Sequence, residues 1–99
     1  MPDTTTDQEH AQRRDRAQAL ATTPVVPEGE RNDAILSVMF LRAEDGWTNH
    51  EILTEAEELG MRWGKYTRTN LYHDWYSLLS MLKRVRRKYP SPGRETGDA

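Results

Sequence analysis

The chain reads as all-α, a small three-helix bundle with polar ends, and three observations carry that reading. Thr48–Asn49–His50–Glu51 is a capping box, followed by Ile52, Leu53, Ala56 and Leu59 at helical spacing. Leu71, Trp75, Leu78, Leu82 and Val85 recur at steps of four, three, four and three, one continuous helical stripe. The one apolar run that would also fit a strand, Ala34–Leu41, has no partner strand to pair with.

The first helix is expected from about Asp33 to Glu44, with Asn32 or Asp33 as its cap and Gly46 after its end. Ile35, Leu36, Val38, Met39, Phe40 and Leu41 make it apolar nearly all round, so it must be central and covered by others. Periodicity alone fits a buried strand equally; the caps and the Ala and Met content favour helix.

The second helix is expected at Asn49–Leu59, with Gly60 at the left-handed position after its end and Met61 as the apolar lid. Glu51, Glu55 and Glu58 lie three or four apart and form an acidic stripe along it. The third helix is expected from Thr69 or Asn70 to about Lys88, where Pro90 and Pro92 forbid continuation. At 100° per residue its far side presents His73, Tyr76, Ser80, Arg84 and Arg87, with Ser77 beside them. Between these two helices Met61–Arg68 is basic and aromatic, and Gly64 supplies a hinge or turn.

The flanks differ in kind. Met1–Arg31 has scattered alanines, one leucine and a valine pair, and residues 90–99 have no apolar anchor. Neither can bury enough surface to offset chain entropy, so both are expected to be disordered, with Asp7–Ala21 at most partly helical. The folding unit is then residues 32–89, small enough that a partner or self-association would help it. With no cysteine there is no disulfide, and no run is long and apolar enough for a membrane span or signal peptide. A cytoplasmic protein is expected.

Charge is split inside the apolar region. Residues 28–58 carry nine acids and two bases. Residues 60–90 carry Arg62, Lys65, Arg68, Lys83, Arg84, Arg86, Arg87 and Lys88 against Asp74 alone. The net charge of −2 and the pI near 5.9 therefore conceal a strongly basic half.

Gly46–Trp47–Thr48–Asn49–His50–Glu51–Ile52, then Leu59–Gly60, then a helix ending Leu82–Lys83–Arg84–Val85 resembles the helix-turn-helix and winged-helix DNA-binding superfamily. The resemblance covers about Asp33–Lys88 and implies that Asn49–Leu59 is the supporting helix. It implies that Asn70–Lys88 is the recognition helix, laid in the major groove. The chain departs from the family in its long Gly60–Asn70 connector, and in having no alternating strands after Tyr89 for a wing, which is absent or truncated.

Double-stranded DNA is therefore the leading expected partner. Lys83, Arg84, Arg87 and Lys88, with Arg62, Lys65 and Arg68 in the connector, would displace counterions from phosphates. Asn70, His73 and Ser77 near the helix start would reach base edges. A solvated face with bases at a helix C-terminus is the plainer account of the same residues. The alternative partner is a host protein, met through the basic and aromatic surface.

Trp47, Trp63, Tyr66, Tyr72, Trp75 and Tyr76 complete a small core in one account, with Trp75 buried and Trp47 closing the first turn. In the other, Trp63 and Tyr66 form an exposed pair that anchors a partner. His50 with Glu51 and His73 with Asp74 are neighbours on different helix faces, so no metal site and no cofactor is expected. Nothing resembles a catalytic constellation, so the chain is not expected to be an enzyme. The expected function is a small transcriptional regulator of phage, plasmid or bacterial-operon type, a homodimer joined through the N-terminal arm or the first helix. Self-assembly through opposite charges, head to tail, is a further possibility.

Overall fold

The structure, a computed structural model, describes residues 2–65 and 71–91, with side chains over 7–65 and 75–91. It contains α1 (Pro2–Ala21), a 3₁₀ turn at Glu28–Glu30, α2 (Arg31–Glu44), α3 (Asn49–Arg62) and α4 (Leu71–Lys88), and no strand among the described residues. The all-α expectation is met, with four helices in place of three. The expected first, second and third helices are α2, α3 and α4.

The strongly apolar α2 is the central post: it packs on α1, α3 and α4, and α3 packs on α4. Ile35, Val38 and Met39 of α2 are buried against Ile52, Leu59, Leu78 and Val85. Burying such a side chain contributes roughly 1.5–3 kcal/mol, so this small cluster holds most of the fold. Coverage of α2 is incomplete, because Leu36 and Phe40 are only partly buried and Ser37 is exposed.

Helix ends follow local chemistry where it is strong. Thr48 caps α3 as expected: the Glu51 amide donates to Thr48 Oγ1 at 3.2 Å, and the Thr48 amide donates to Glu51 Oε1 at 2.9 Å. After α2, Gly46 takes a left-handed φ of +89°, with Gly46 N–H donating to Ala43 O and Trp47 N–H to Arg42 O. That double bond is a Schellman closure. The start of α2 differs from expectation. Neither Asn32 nor Asp33 caps it; the 3₁₀ turn runs on into the helix, the Arg31 amide donating to Glu28 O.

The end of α3 also differs. Gly60 lies inside the helix and is buried, and the chain continues to Arg62. Gly64, at φ +83°, takes the left-handed position, with Lys65 N–H donating to Gly60 O and Gly64 N–H to Met61 O. The extra turn is held by its contacts. Trp63 is 3% exposed and its indole N–H donates to Thr23 O at 2.8 Å, while Arg62 Nη1 donates to Ala21 O at 2.8 Å. Met61, expected as a lid, is exposed.

The N-terminal segment also departs from the expected arm, because α1 lies docked on α2. Its inner stripe is His10, Arg14, Ala17 and Ala21, mixed in polarity and therefore invisible to a search for apolar residues. Ala17 and Ala21 are buried, and the other end is held by ions. Arg14 donates to Glu44 and, at 2.9 Å, to Asp45, and His10 Nε2 lies 2.7 Å from Glu44. The tail from residue 92 lies outside the described residues. Among the described residues no helix is long and apolar enough to cross a membrane.

Candidate nucleic-acid interface

The inner stripe of α4 is formed as expected at Leu78, Leu82 and Val85, which are buried, whereas Trp75, expected to be buried, is half-buried. The side chain of Leu71 lies outside the described residues. Fixing that face fixes the opposite one. Tyr76, Ser77, Ser80, Lys83, Arg84 and Arg87 point outward and are exposed, Tyr76 by 69%. Lys83, Arg84 and Arg87 form no ion pair with any described residue. Lys88 is exposed, its ammonium 5.5 Å over the ring of Tyr89.

One arginine of the same basic run faces inward. Arg86 donates to Asn49 Oδ1 at 2.7 Å, to the Trp47 carbonyl at 2.8 Å and to the Tyr89 carbonyl at 3.1 Å, joining the end of α4 to the start of α3. Burial holds its guanidinium below its ordinary range. Arg86 is a structural residue that the basic run concealed. The angular count would have found it, since Arg86 lies roughly 40° around the helix from Leu82.

Two of the three connector bases, Arg62 and Lys65, are among the described residues. Arg62 is engaged by the Ala21 carbonyl and by Glu58 at 2.9 Å, and Lys65 is half-buried. Arg68, Asn70 and Tyr66 lie outside the described residues, as does the side chain of His73. Of the two accounts of the connector aromatics, core completion holds at Trp63, whose ring is buried and whose one donor is used, so an exposed Trp63–Tyr66 pair is not available there. Trp47 is half-buried beneath the Arg42 guanidinium, 4.6 Å from its ring.

The acidic stripe of α3 does not neutralise the outer face of α4. Glu51 is occupied by the capping box. Glu55 takes both prongs of Arg42, at 2.8 and 2.9 Å, and Glu58 takes Arg62. Those hydrogen bonds to Glu55 raise the Arg42 guanidinium above its ordinary value. Three of the four α3 acids are thus occupied within the fold, Glu57 pairs with no described base, and three cations remain on one side of α4. No group of three His, Cys, Asp or Glu that could hold a metal occurs among the described residues.

Fold and site together define an all-helical domain with a basic, aromatic-tipped helix face. Against known proteins, the chain matches no family model, no curated protein and no solved structure.

Proposed function

We propose that this chain is a small cytoplasmic transcriptional regulator that binds double-stranded DNA through the outer face of α4, acting as a dimer. The observation that carries the reading is the set Lys83, Arg84 and Arg87, exposed on one face and unpaired by any described acid. Cations displaced from internal pairing are the kind that release counterions from a polyanion. Ser77 and Tyr76 precede them on the same face, where a reader helix meets base edges. The ten steps from Ser77 to Arg87 span about 15 Å of helix, a length the major groove accepts.

The test is titration of labelled duplex at two salt concentrations. Each phosphate contact contributes about 0.9 to the slope of log affinity against log salt, so Arg84→Ala/Arg87→Ala lowers the slope by about 2. Binding that the double variant leaves unchanged, or no binding at low salt, refutes the proposal. A protein partner is the second reading, favoured by the exposed ring of Tyr76 beside those cations. A partner retained from lysate after nuclease, with duplex binding absent, decides for it.

A further inference from the structure

The incompletely covered side of α2 is a groove with opposite charges at its two ends. Toward the start of α1 it opens as a cleft of about 480 Å³, lined by Arg13, Arg16, Leu20, Phe40, Lys88 and Tyr89 among others. Toward the 3₁₀ turn it continues as a second cleft of about 470 Å³, lined by Val25, Glu30 and Asp33 among others. Leu20 and Ser37 line both clefts, so the two adjoin at these residues. The floor is apolar, with Phe40 and Tyr89 in edge contact at 6.3 Å between ring centres, and Val25 is 72% exposed at the far end.

The charges at the two ends are not cancelled by any described residue. Arg13, Arg16, Glu30 and Asp33 are exposed, and none forms an ion pair with a described residue. Glu44, the acid among the described residues lining the basic end, is occupied by His10 and Arg14, and Asp45 beside it is held by Arg14. Along α2, Asp33 and Phe40 are seven residues apart, about 10 Å, comparable with the screening length at physiological salt. The ends therefore act as separate poles. A fitting occupant is apolar in the middle, acidic at one end and basic at the other.

We infer that the occupant is a second copy of this chain, related by a two-fold axis near Leu20 and Ser37. The rotation sets the Arg13, Arg16 and Lys88 end of each copy against the Glu30 and Asp33 end of the other, so every complementary contact forms twice. A polyanion would meet repulsion from Glu30 and Asp33 along the same groove. A second copy meets none, and its Leu20 and Val25 cover the apolar floor. Lys83, Arg84 and Arg87 do not line the groove, so the contact leaves them open. This inference rests on the dimeric part of the proposed function, whose surface it names, and is independent of DNA contact.

The test is sedimentation equilibrium of the full chain with three variants, each checked for folding by circular dichroism. Arg13→Glu/Arg16→Glu makes both ends acidic, and Glu30→Lys/Asp33→Lys makes both ends basic. Each variant alone is expected to dimerise about tenfold or more weakly, because attraction becomes repulsion at both symmetric contacts. The two variants mixed are expected to form a heterodimer, and the fourfold reversal is expected to restore the homodimer. A wild-type chain that stays monomeric to millimolar concentration overturns both the inference and the dimeric reading. A dimer unmoved by either reversal, or folded variants that fail to pair when mixed, overturns this surface alone.

Discussion

Arg42 and Arg84 belong to the same residue type and to neighbouring helices, yet the fold treats them in opposite ways. Arg42 sits where α1, α2 and α3 meet: it grips Glu55 with two bonds, reaches Gln18 at 3.2 Å and covers Trp47. Arg14, Arg62 and Arg86 do similar work at the other junctions, each crossing from one helix to another segment. Arg84, with Lys83 and Arg87, touches no described acid. Composition counts all of these as one pool of bases. Placement divides them into cations that close a small core and cations left for something outside the chain.

The division is tested hardest at Arg42. Arg42 and Glu55 have side chains 13% and 17% exposed, so removing the guanidinium leaves a carboxylate largely out of water with no counter-charge. Fully buried pairs broken in this way lose 3–5 kcal/mol, and the residual exposure reduces the figure here. Arg42→Ala is expected to destabilise by about 2–3 kcal/mol in urea unfolding, and Arg42→Ala/Glu55→Gln by less, because the stranded charge is gone. A loss under about 0.5 kcal/mol for the single variant would place Arg42 with the surface cations and erase the distinction.

What could be read in the residues alone was whatever depends on near neighbours. The capping box at Thr48 and the Leu78–Leu82–Val85 stripe are local, and both stand as expected. The outer face of α4 follows from that stripe by helical geometry. The length of α3 was hidden because its end is chosen by Trp63, whose indole reaches a carbonyl 40 residues earlier in the chain. The docking of α1 was hidden because half of its inner stripe is His10 and Arg14, whose value depends on Glu44 standing opposite. Trp63 stands in the core, the first of the two accounts its sequence allows, and the residues alone leave that choice open because a basic, aromatic segment reads as a connector until its tertiary partners are known.

The ionic end of α1 contributes a smaller effect that depends on pH. Burial pushes the Glu44 carboxyl up, but hydrogen bonds from Arg14 and His10 outweigh it and hold the group below its ordinary value of 4.5. A carboxyl depressed in the folded state stabilises fully above its ordinary value and loses that stabilisation as pH falls through the native one. Docking of α1 is therefore expected to weaken below about pH 4.5, seen as faster amide exchange along Asp7–Ala17 relative to α3. Glu44→Gln should bring α1 to that faster exchange at neutral pH and flatten its acid response. An acid response that survives in Glu44→Gln would assign the docking to the alanine contacts instead.

The smallest expected effect is also the sharpest contrast with Arg42. Arg84→Ala/Arg87→Ala should leave stability within about 0.5 kcal/mol of the parent, because two opposing small terms meet there. Lys83 with Arg87, and Arg84 with Lys88, are like charges four residues apart, and removing one of each pair relieves about 0.2–0.5 kcal/mol. The same bases lie near the C-terminal end of α4, where cations gain roughly 0.3–1 kcal/mol from the helix dipole. Urea unfolding of the double variant measures the balance. A loss above about 1 kcal/mol would mean that these side chains hold the fold together as Arg42 does, and their lack of partners would no longer mark them for a polyanion. A result near zero allows any change in duplex affinity of the same protein to be assigned to the contact itself, since the folded population is unaltered.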